Sequence, residues 1–346
     1  MSDRPTSLLS GVERSSKILE LGPSVSPKAP RSAGWDVTIV DHATQAELVA
    51  KYRDDPRVDV ARIEAVDFVW RGGPLHEAVP ADQHGTFDLL IASHVIEHIP
   101  DPIGFFQSAA QLLQPERGVL ALGVPDKRWC FDYFKQVSTT GQMLEAHRSR
   151  AQRHSAATRF DQSAYVAYAG NRIGWGREHL ADLHLPFPLE FAWDEFRVWS
   201  PEPEAPYVDC HAWHFTPASF QLLILELGAV GVIDWDIAWL EPMPGIEFLT
   251  HLKRGRAHFT SATERDTKRL GLMKQILLDL REQTDFLVEP APSGQQPAGV
   301  NAEALALLRE IATTTKVTQD TLRPIEALWQ GMLPLRRQIA RWRGRI

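Results

Sequence analysis

Carboxylates, a glycine and histidines recur at the ends of short apolar runs in the first hundred or so residues, and their types limit the chemistry available. The run Lys17-Ile18-Leu19-Glu20-Leu21 opens into Gly22-Pro23-Ser24. A glycine there lets the backbone approach a bound nucleoside closely, and the Glu20 carboxylate can organise hydrogen bonds to a cationic amino group. A second run, Val37-Thr38-Ile39-Val40, ends at Asp41, 19 residues beyond Gly22, where a carboxylate can accept two hydrogen bonds from a ribose diol. The third, Ile63 to Phe68, closes on Asp67-Phe68, a carboxylate for an exocyclic amine beside an aromatic face that suits adenine. The fourth, Phe87 to Ala92, delivers Ser93, His94 and His98, and the fifth, Gly118 to Val124, leads to Asp126. A hydroxyl nucleophile needs a group to take its proton, and histidine, with an unperturbed pKa near ~6.5, is suited to that task. His98 and His94 are the first candidates, followed by Asp126, with His211 and His214 behind them.

Two other readings of these residues are set aside. Dinucleotide-binding turns carry glycines for a pyrophosphate, whereas this turn reads Gly22-Pro23-Ser24-Val25-Ser26-Pro27 and shows no phosphate cradle. His94-Val95-Ile96-Glu97-His98 matches the HxxEH zinc pattern, which needs both histidines on one helical face. Here they follow an apolar strand and run into Ile99-Pro100-Asp101-Pro102, so no metal site is expected.

The elements that must position these groups are five strands alternating with longer amphipathic stretches, the pattern of a parallel sheet with crossover helices. One crossover helix is predicted over Pro102 to Leu113, with apolar residues at Ile103, Phe106, Ala110 and Leu113 after an Asp101-Pro102 opening. Residues 126–209, rich in His, Arg, Trp, Tyr and Pro, do not read as sheet core and form an insertion. A helix is expected over Pro217 to Leu227, then strands Val230 to Leu240 and Gly245 to Leu252 as an antiparallel pair closing the sheet. Thr263 to Leu287 reads as a helix with apolar residues at Leu270, Met273, Leu277 and Leu280, and 288–300 as a Pro/Gly/Ser/Gln linker. The organisation is thus a catalytic domain over 1–260, a following helix over 261–287, the linker, and a helical tail over 301–346.

FDLLIASHVIEHIPDP, the crossover helix, Gln114-Pro115-Glu116-Arg117-Gly118 and the strand GVLALGVPDKR together resemble class I S-adenosylmethionine-dependent methyltransferases of the type called methyltransferase domain 11. LELGP, the acidic end of the second strand and Asp67 fall in that family's order, and His214-Phe215-Thr216-Pro217 extends the resemblance to residues 17–255. The resemblance implies an α/β fold with a Rossmann-like, mostly parallel sheet, an antiparallel last strand, and S-adenosyl-L-methionine as cofactor. It places Glu20, Gly22, Pro23 and Ser24 from the first turn in the cofactor site. Asp41, His42, Asp67, Phe68, Ser93 and His94 complete that site. The first turn keeps a single glycine, and the usual Lys-Pro-Gly-Gly turn appears as Gln-Pro-Glu-Arg-Gly. Because the donor methyl of such enzymes is already activated, the protein supplies mainly alignment and, for a hydroxyl acceptor, a base. The insertion follows the fifth strand, where this architecture places substrate-covering elements; Arg128, Trp129 and Tyr133 within it, and His214 beyond it, are the candidate acceptor-binding groups. Flat aromatics among cationic donors suit a sugar or glycan hydroxyl ahead of a lipid, quinone or amine; a catalytically silent scaffold is the rival from another class.

Composition narrows the partners. The 37 Lys+Arg against 44 Asp+Glu give a net charge of −7, without the basic excess of a nucleic-acid binder. No stretch reaches the ~18 consecutive apolar residues of a membrane span, the N-terminus does not read as a secretory signal, and two cysteines are too few for a disulfide framework. A cytoplasmic enzyme is expected. From Pro334 onward, Leu335, Ile339, Trp342 and Ile346 share one helical face while five arginines occupy the rest. Such a helix can lie at the inner face of an anionic membrane, dock on a glycan-assembly partner, or pair with a second copy of the chain.

Overall fold

The computed structural model describes residues 8–285 and 287, except 57, 177–181, 201, 203, 204 and 206. These residues belong to the first of two units into which the chain divides, Met1–Val288. The linker and basic tail read from the sequence lie outside the described residues.

Strands β1 (Lys17–Leu21), β2 (Asp36–Asp41), β3 (Phe68–Val69), β4 (Leu89–Ser93) and β5 (Val119–Pro125) are parallel and correspond to the five apolar runs. The third run is the exception, since β3 begins where that run was expected to end. Helix α1 (Gln45–Tyr52) starts with a capping box between Thr44 and Glu47. Helix α2 (Pro102–Leu112) begins as its Asp-Pro opening predicts: the Asp101 side chain accepts from the Gly104 N–H, and Pro102 occupies the first turn. The Glu-Arg-Gly turn before β5 depends on its glycine, because a Cβ on Gly118 would sit 2.6 Å from the Gln114 carbonyl oxygen.

The insertion holds helices α3 (Thr140–Arg148), α4 (Ala156–Tyr165) and α5 (Leu189–Arg197), with the two-stranded pair β6 (Tyr168–Ala169) and β7 (Leu183–His184). Helix α6 (Pro217–Ala229) follows, then β8 (Trp235–Pro242), β9 (Glu247–Arg254) and the long α7 (Ala262–Asp285). The sheet order is β3-β2-β1-β4-β5-β9-β8, with β9 antiparallel to both of its neighbours. Both faces are covered, so β4 is apolar along nearly its whole length: Leu89, Leu90, Ile91 and Ala92 are all buried. One face packs against Phe105, Phe106, Phe220 and Trp235, the other against Leu8, Ala29 and Leu249.

Helix α7 forms over the predicted span but turns a different face inward. Leu272, Asp279 and Gln283 are buried, whereas Leu270, Met273 and Leu277 of the expected apolar stripe are exposed. Polar anchors decide the rotation: Asp279 and Glu282 face Arg128, and Gln283 accepts from the Lys127 ammonium.

Candidate active site at the carboxyl edge of the sheet

Sheet register brings residues far apart in sequence into one row. Leu21 pairs with Val40 on one side and Ala92 on the other, so Gly22 stands level with Asp41 and Ser93. Asp41 pairs with Val69, and Ser93 with Gly123, which completes the row Val69, Asp41, Gly22, Ser93, Gly123. The row crosses the switch between β1 and β4, where open α/β sheets bind ligands.

Two non-glycine residues beside the switch have left-handed backbones, Ser24 at φ 44° and His94 at φ 54°. Each conformation costs of the order of 1–2 kcal/mol and persists only where surrounding contacts hold it, a pattern concentrated at functional sites. The contacts are visible. The Ser24 N–H donates to Asp41 Oδ2 (3.1 Å), and the His94 N–H donates to the Gly123 carbonyl (2.9 Å). Gly22 itself has φ 65°, donates to the Val40 carbonyl (2.8 Å), and would bring a Cβ within 3.2 Å of Val95. Pro23 follows it, its carbonyl accepting from the Ser26 N–H.

Glu20 is buried and accepts from the Lys28 and Ala29 N–H groups (2.6 and 3.0 Å), fixing the loop after β1. Burial raises its pKa, against the two backbone hydrogen bonds. Asp41, also buried, receives Ser24 on Oδ2 and the His42 N–H on Oδ1 (2.7 Å), with the His42 ring also facing Oδ1. Its Oδ2 therefore keeps a lone pair for a further donor. The Ser24 and Ser93 hydroxyls are buried without a hydrogen-bond partner. Unsatisfied hydroxyls flanking a glycine, beside two buried acids, fit a cationic, ribose-bearing ligand: Asp41 for the diol, Glu20 with its loop for the amino group, and the serines as supplementary partners.

The adenine expectation is corrected. Asp67 lies just before β3, two residues short of the row, and its carboxylate accepts from the Ile39 N–H (2.7 Å) and pairs with Arg31. Phe68 packs on the main core. The residue that leaves the sheet beyond β3 is Trp70, half-buried, with its N–H on the Asp41 carbonyl (2.8 Å) and its indole on the Gly73 carbonyl. Its backbone lies beside Asp41, and its side chain, like that of Phe68, packs against the main core.

On the acceptor side several candidates are also overturned. Asp126 is buried and gripped by Arg128 through Nε (2.9 Å) and Nη2 (2.6 Å), which leaves it no role as a base. Burial raises its pKa and the guanidinium opposes that rise. Arg128 is itself buried between Asp126 and Glu282, and Trp129 and Tyr133 are core residues packed with Trp175, the Tyr133 hydroxyl donating to the Gln283 carbonyl. His214 faces the His211 carbonyl through Nε2 (3.0 Å), and burial pushes its pKa down to about 3. Arg128 and Tyr133 tie the insertion to α7, Trp129 packs within the insertion, and His214 is engaged by Ser138 and His211.

His94 and His98 remain partly exposed and polar in contact. His94 Nε2 lies 3.0 Å from Glu247 Oε2 on β9, and His98 Nδ1 lies 2.9 Å from Asp209. Burial lowers both histidine pKa values, but the partner carboxylates and Glu97 outweigh it and the net direction is upward. A Cβ on Gly123 would meet Ser93 Oγ at 2.8 Å and Glu247 Oε2 at 3.0 Å, so the glycine makes the room in which Glu247 reaches His94. Glu247 and Asp209 carry no local sequence signal, since each is brought to its histidine from more than 100 residues away.

A family model described as a methyltransferase domain matches residues 3–180, just over half of the chain. Similar solved structures include a SAM-dependent methyltransferase from Methanosarcina mazei (14% identity, 71% of this chain and 95% of that one, TM-score 0.33). An S-adenosylmethionine dependent methyltransferase from Mesorhizobium loti is similar at 13% identity, over 69% and 91% of the two chains, with TM-score 0.32. A Rhodobacter sphaeroides chain described among Zn-dependent alcohol dehydrogenases is similar at 14%, over 71% and 87%, with TM-score 0.36. Likenesses of this size do not bear on function. Comparison with curated proteins finds no match. The family match decides the class: the chain belongs to the methyltransferase-domain family. It is a class I S-adenosylmethionine-dependent methyltransferase, and S-adenosylmethionine is its cofactor. No helix among the described residues is long and apolar enough to cross a membrane.

Proposed function

We propose that the chain transfers a methyl group to a hydroxyl of a small-molecule acceptor, with His94 as general base. The observation that carries this is the His94–Glu247 pair, a histidine in a left-handed backbone beside the β1/β4 switch, held at 3.0 Å by a carboxylate. Glu247 holds Nε2 as the protonated nitrogen, which leaves Nδ1 basic. An imidazole so oriented can take a hydroxyl proton, as a carboxylate-backed histidine does elsewhere. The bound cofactor supplies an electrophilic methyl on a sulfonium, so the remaining work of the protein is binding and alignment. Asp41, Glu20 and the Gly22 turn support the donor side. Arg128, Trp129 and Tyr133 are buried, which removes them as acceptor contacts, and the acceptor is taken as a hydroxyl-bearing small molecule, glycosides included.

The test is formation of S-adenosylhomocysteine with a panel of alcohols, phenols, glycosides, amines and thiols. Hydroxyl acceptors should turn over, and His94→Gln should lower kcat by roughly 100-fold with little change in cofactor affinity. Turnover of amines alone, or full activity in His94→Gln, refutes the assignment; cofactor binding without turnover of any acceptor would favour a silent scaffold. The basic segment 334–346 is further proposed, on its sequence pattern, as a device for attachment to an anionic membrane surface.

A further inference from the structure

Glu97 is the most unusual side chain in the described structure. It is completely buried, and neither carboxylate oxygen has a hydrogen-bond donor. A buried carboxylate without compensation costs several kcal/mol, so its surroundings should explain it. Those surroundings are histidines. His98 Nε2 is 3.8 Å from Glu97 Oε1, His211 Nε2 is 4.0 Å from the same oxygen, and His94 Nδ1 lies 3.6 Å away. All three are too long for hydrogen bonds.

The arrangement is built from two segments far apart in the sequence. Residues 96–98 form a 3-10 turn after β4, and the Glu97 carbonyl accepts from the Ala212 and Trp213 N–H groups (2.8 and 3.3 Å). The Trp213 indole donates to the Ile99 carbonyl (2.6 Å), so segment 211–213 is stitched against 97–99. Each imidazole is oriented by a carboxylate on its other nitrogen: Asp209 on His98 Nδ1 (2.9 Å) and Asp132 on His211 Nδ1 (2.6 Å). Both Nε2 atoms are thereby turned toward Glu97 as lone-pair donors, which is how histidines are held when they ligate metals.

We propose that Glu97, His98 and His211 form a binding site for one divalent transition-metal ion. Their donor atoms lie within 4.8 Å of one another. Tetrahedral coordination with bonds of ~2.1 Å needs about 3.4 Å between ligand atoms, so the two Glu97 distances must shorten by about half an ångström and the widest spacing by up to about 1.4 Å, within reach of side-chain rotation. Two imidazoles and a carboxylate suit zinc, manganese, iron or cobalt, and three protein ligands leave a position open. His98 is part-exposed, which gives an ion a route to the site from solvent. The HxxEH pattern is thus used differently from a helical zinc motif: its Glu97 and His98 are ligands, and the third comes from His211, 113 residues beyond His98.

The test uses the full chain stripped with a chelator and titrated with Zn²⁺ by calorimetry and with Co²⁺ by visible absorption, neither of which depends on methyl transfer. One ion per chain is expected, with affinity lowered tenfold or more in His211→Asn and in Glu97→Gln, and circular dichroism confirming that each folds. His98→Asn, at the part-exposed ligand, gives the same readout if the buried variants do not fold. Absence of saturable binding in the wild type, as when a water bridges the three groups, overturns the proposal. So does binding that the folded variants leave unchanged, which would place the ion on other histidines.

Discussion

Lys127 offers a direct test of how the insertion is fastened to the domain. Its side chain is buried, and its ammonium donates to two neutral acceptors, the Tyr133 carbonyl (2.9 Å) and Gln283 Oε1 (3.0 Å). Burial pushes its pKa down to about 8, with the charges of Asp126 and Asp132 opposing only in part. In the unfolded chain it titrates near ~10.4. Below about pH 8 both states carry the proton and the folded state bears the whole penalty; between 8 and about 10.5 the unfolded state binds more protons, so stability rises with pH. The linkage relation gives a penalty of about 3 kcal/mol at pH 7 and about 2 kcal/mol at pH 9. Urea unfolding of wild type and Lys127→Met at pH 7, 8 and 9 should therefore show the wild type gaining roughly 1 kcal/mol on the variant across this range. The Cys130 thiol, pushed well up by burial, stays protonated throughout. Parallel stability–pH lines for the two proteins would refute the reasoning, and would mean that the ammonium keeps its ordinary hydration.

Two further outcomes follow from the corrections and from the tail. Asp67→Asn should leave S-adenosylhomocysteine affinity unchanged and cost no more than about 1 kcal/mol of stability in urea unfolding, because its Arg31 partner is part-exposed; a tenfold loss of affinity would return Asp67 to the adenine site. Truncation after about residue 290 should preserve cofactor binding by calorimetry, while only the full-length chain co-sediments with anionic vesicles in a salt-sensitive way. Equal sedimentation of the two forms would remove the membrane role from the tail.

What the sequence revealed depended on whether a signal was local. β1, β2, β4 and β5 show themselves because a strand covered on both faces is a continuous apolar run, and Gly22, Asp41 and Ser93 follow from where those runs stop. β3 has only two residues, and Ile63 supplied an apolar start that belongs instead to a loop, so the predicted strand ended too early and Asp67 was read as its tip. The insertion misled for another reason. Composition cannot separate an arginine that awaits a substrate from one already held, and Arg128 is held by Glu282, 154 positions away. Likewise HxxEH shows only whether its own two histidines can share a helix face, whereas its Glu97 and His98 meet a histidine from the segment before α6. Glu247 reaches His94 only because β9 returns antiparallel beside β5, a fact of topology with no trace in spacing.

The row at the β1/β4 switch is expected to bind S-adenosylmethionine through Asp41. Calorimetric titration of the intact chain with S-adenosylhomocysteine measures this directly, alongside Asp41→Ala and a parallel titration with NAD. One-to-one binding is predicted, weakened in Asp41→Ala by roughly 1.5 to 3 kcal/mol, about 10- to 150-fold, the range for a hydrogen bond to a charged group. No binding by the intact chain, or tighter binding of NAD, would contradict the account.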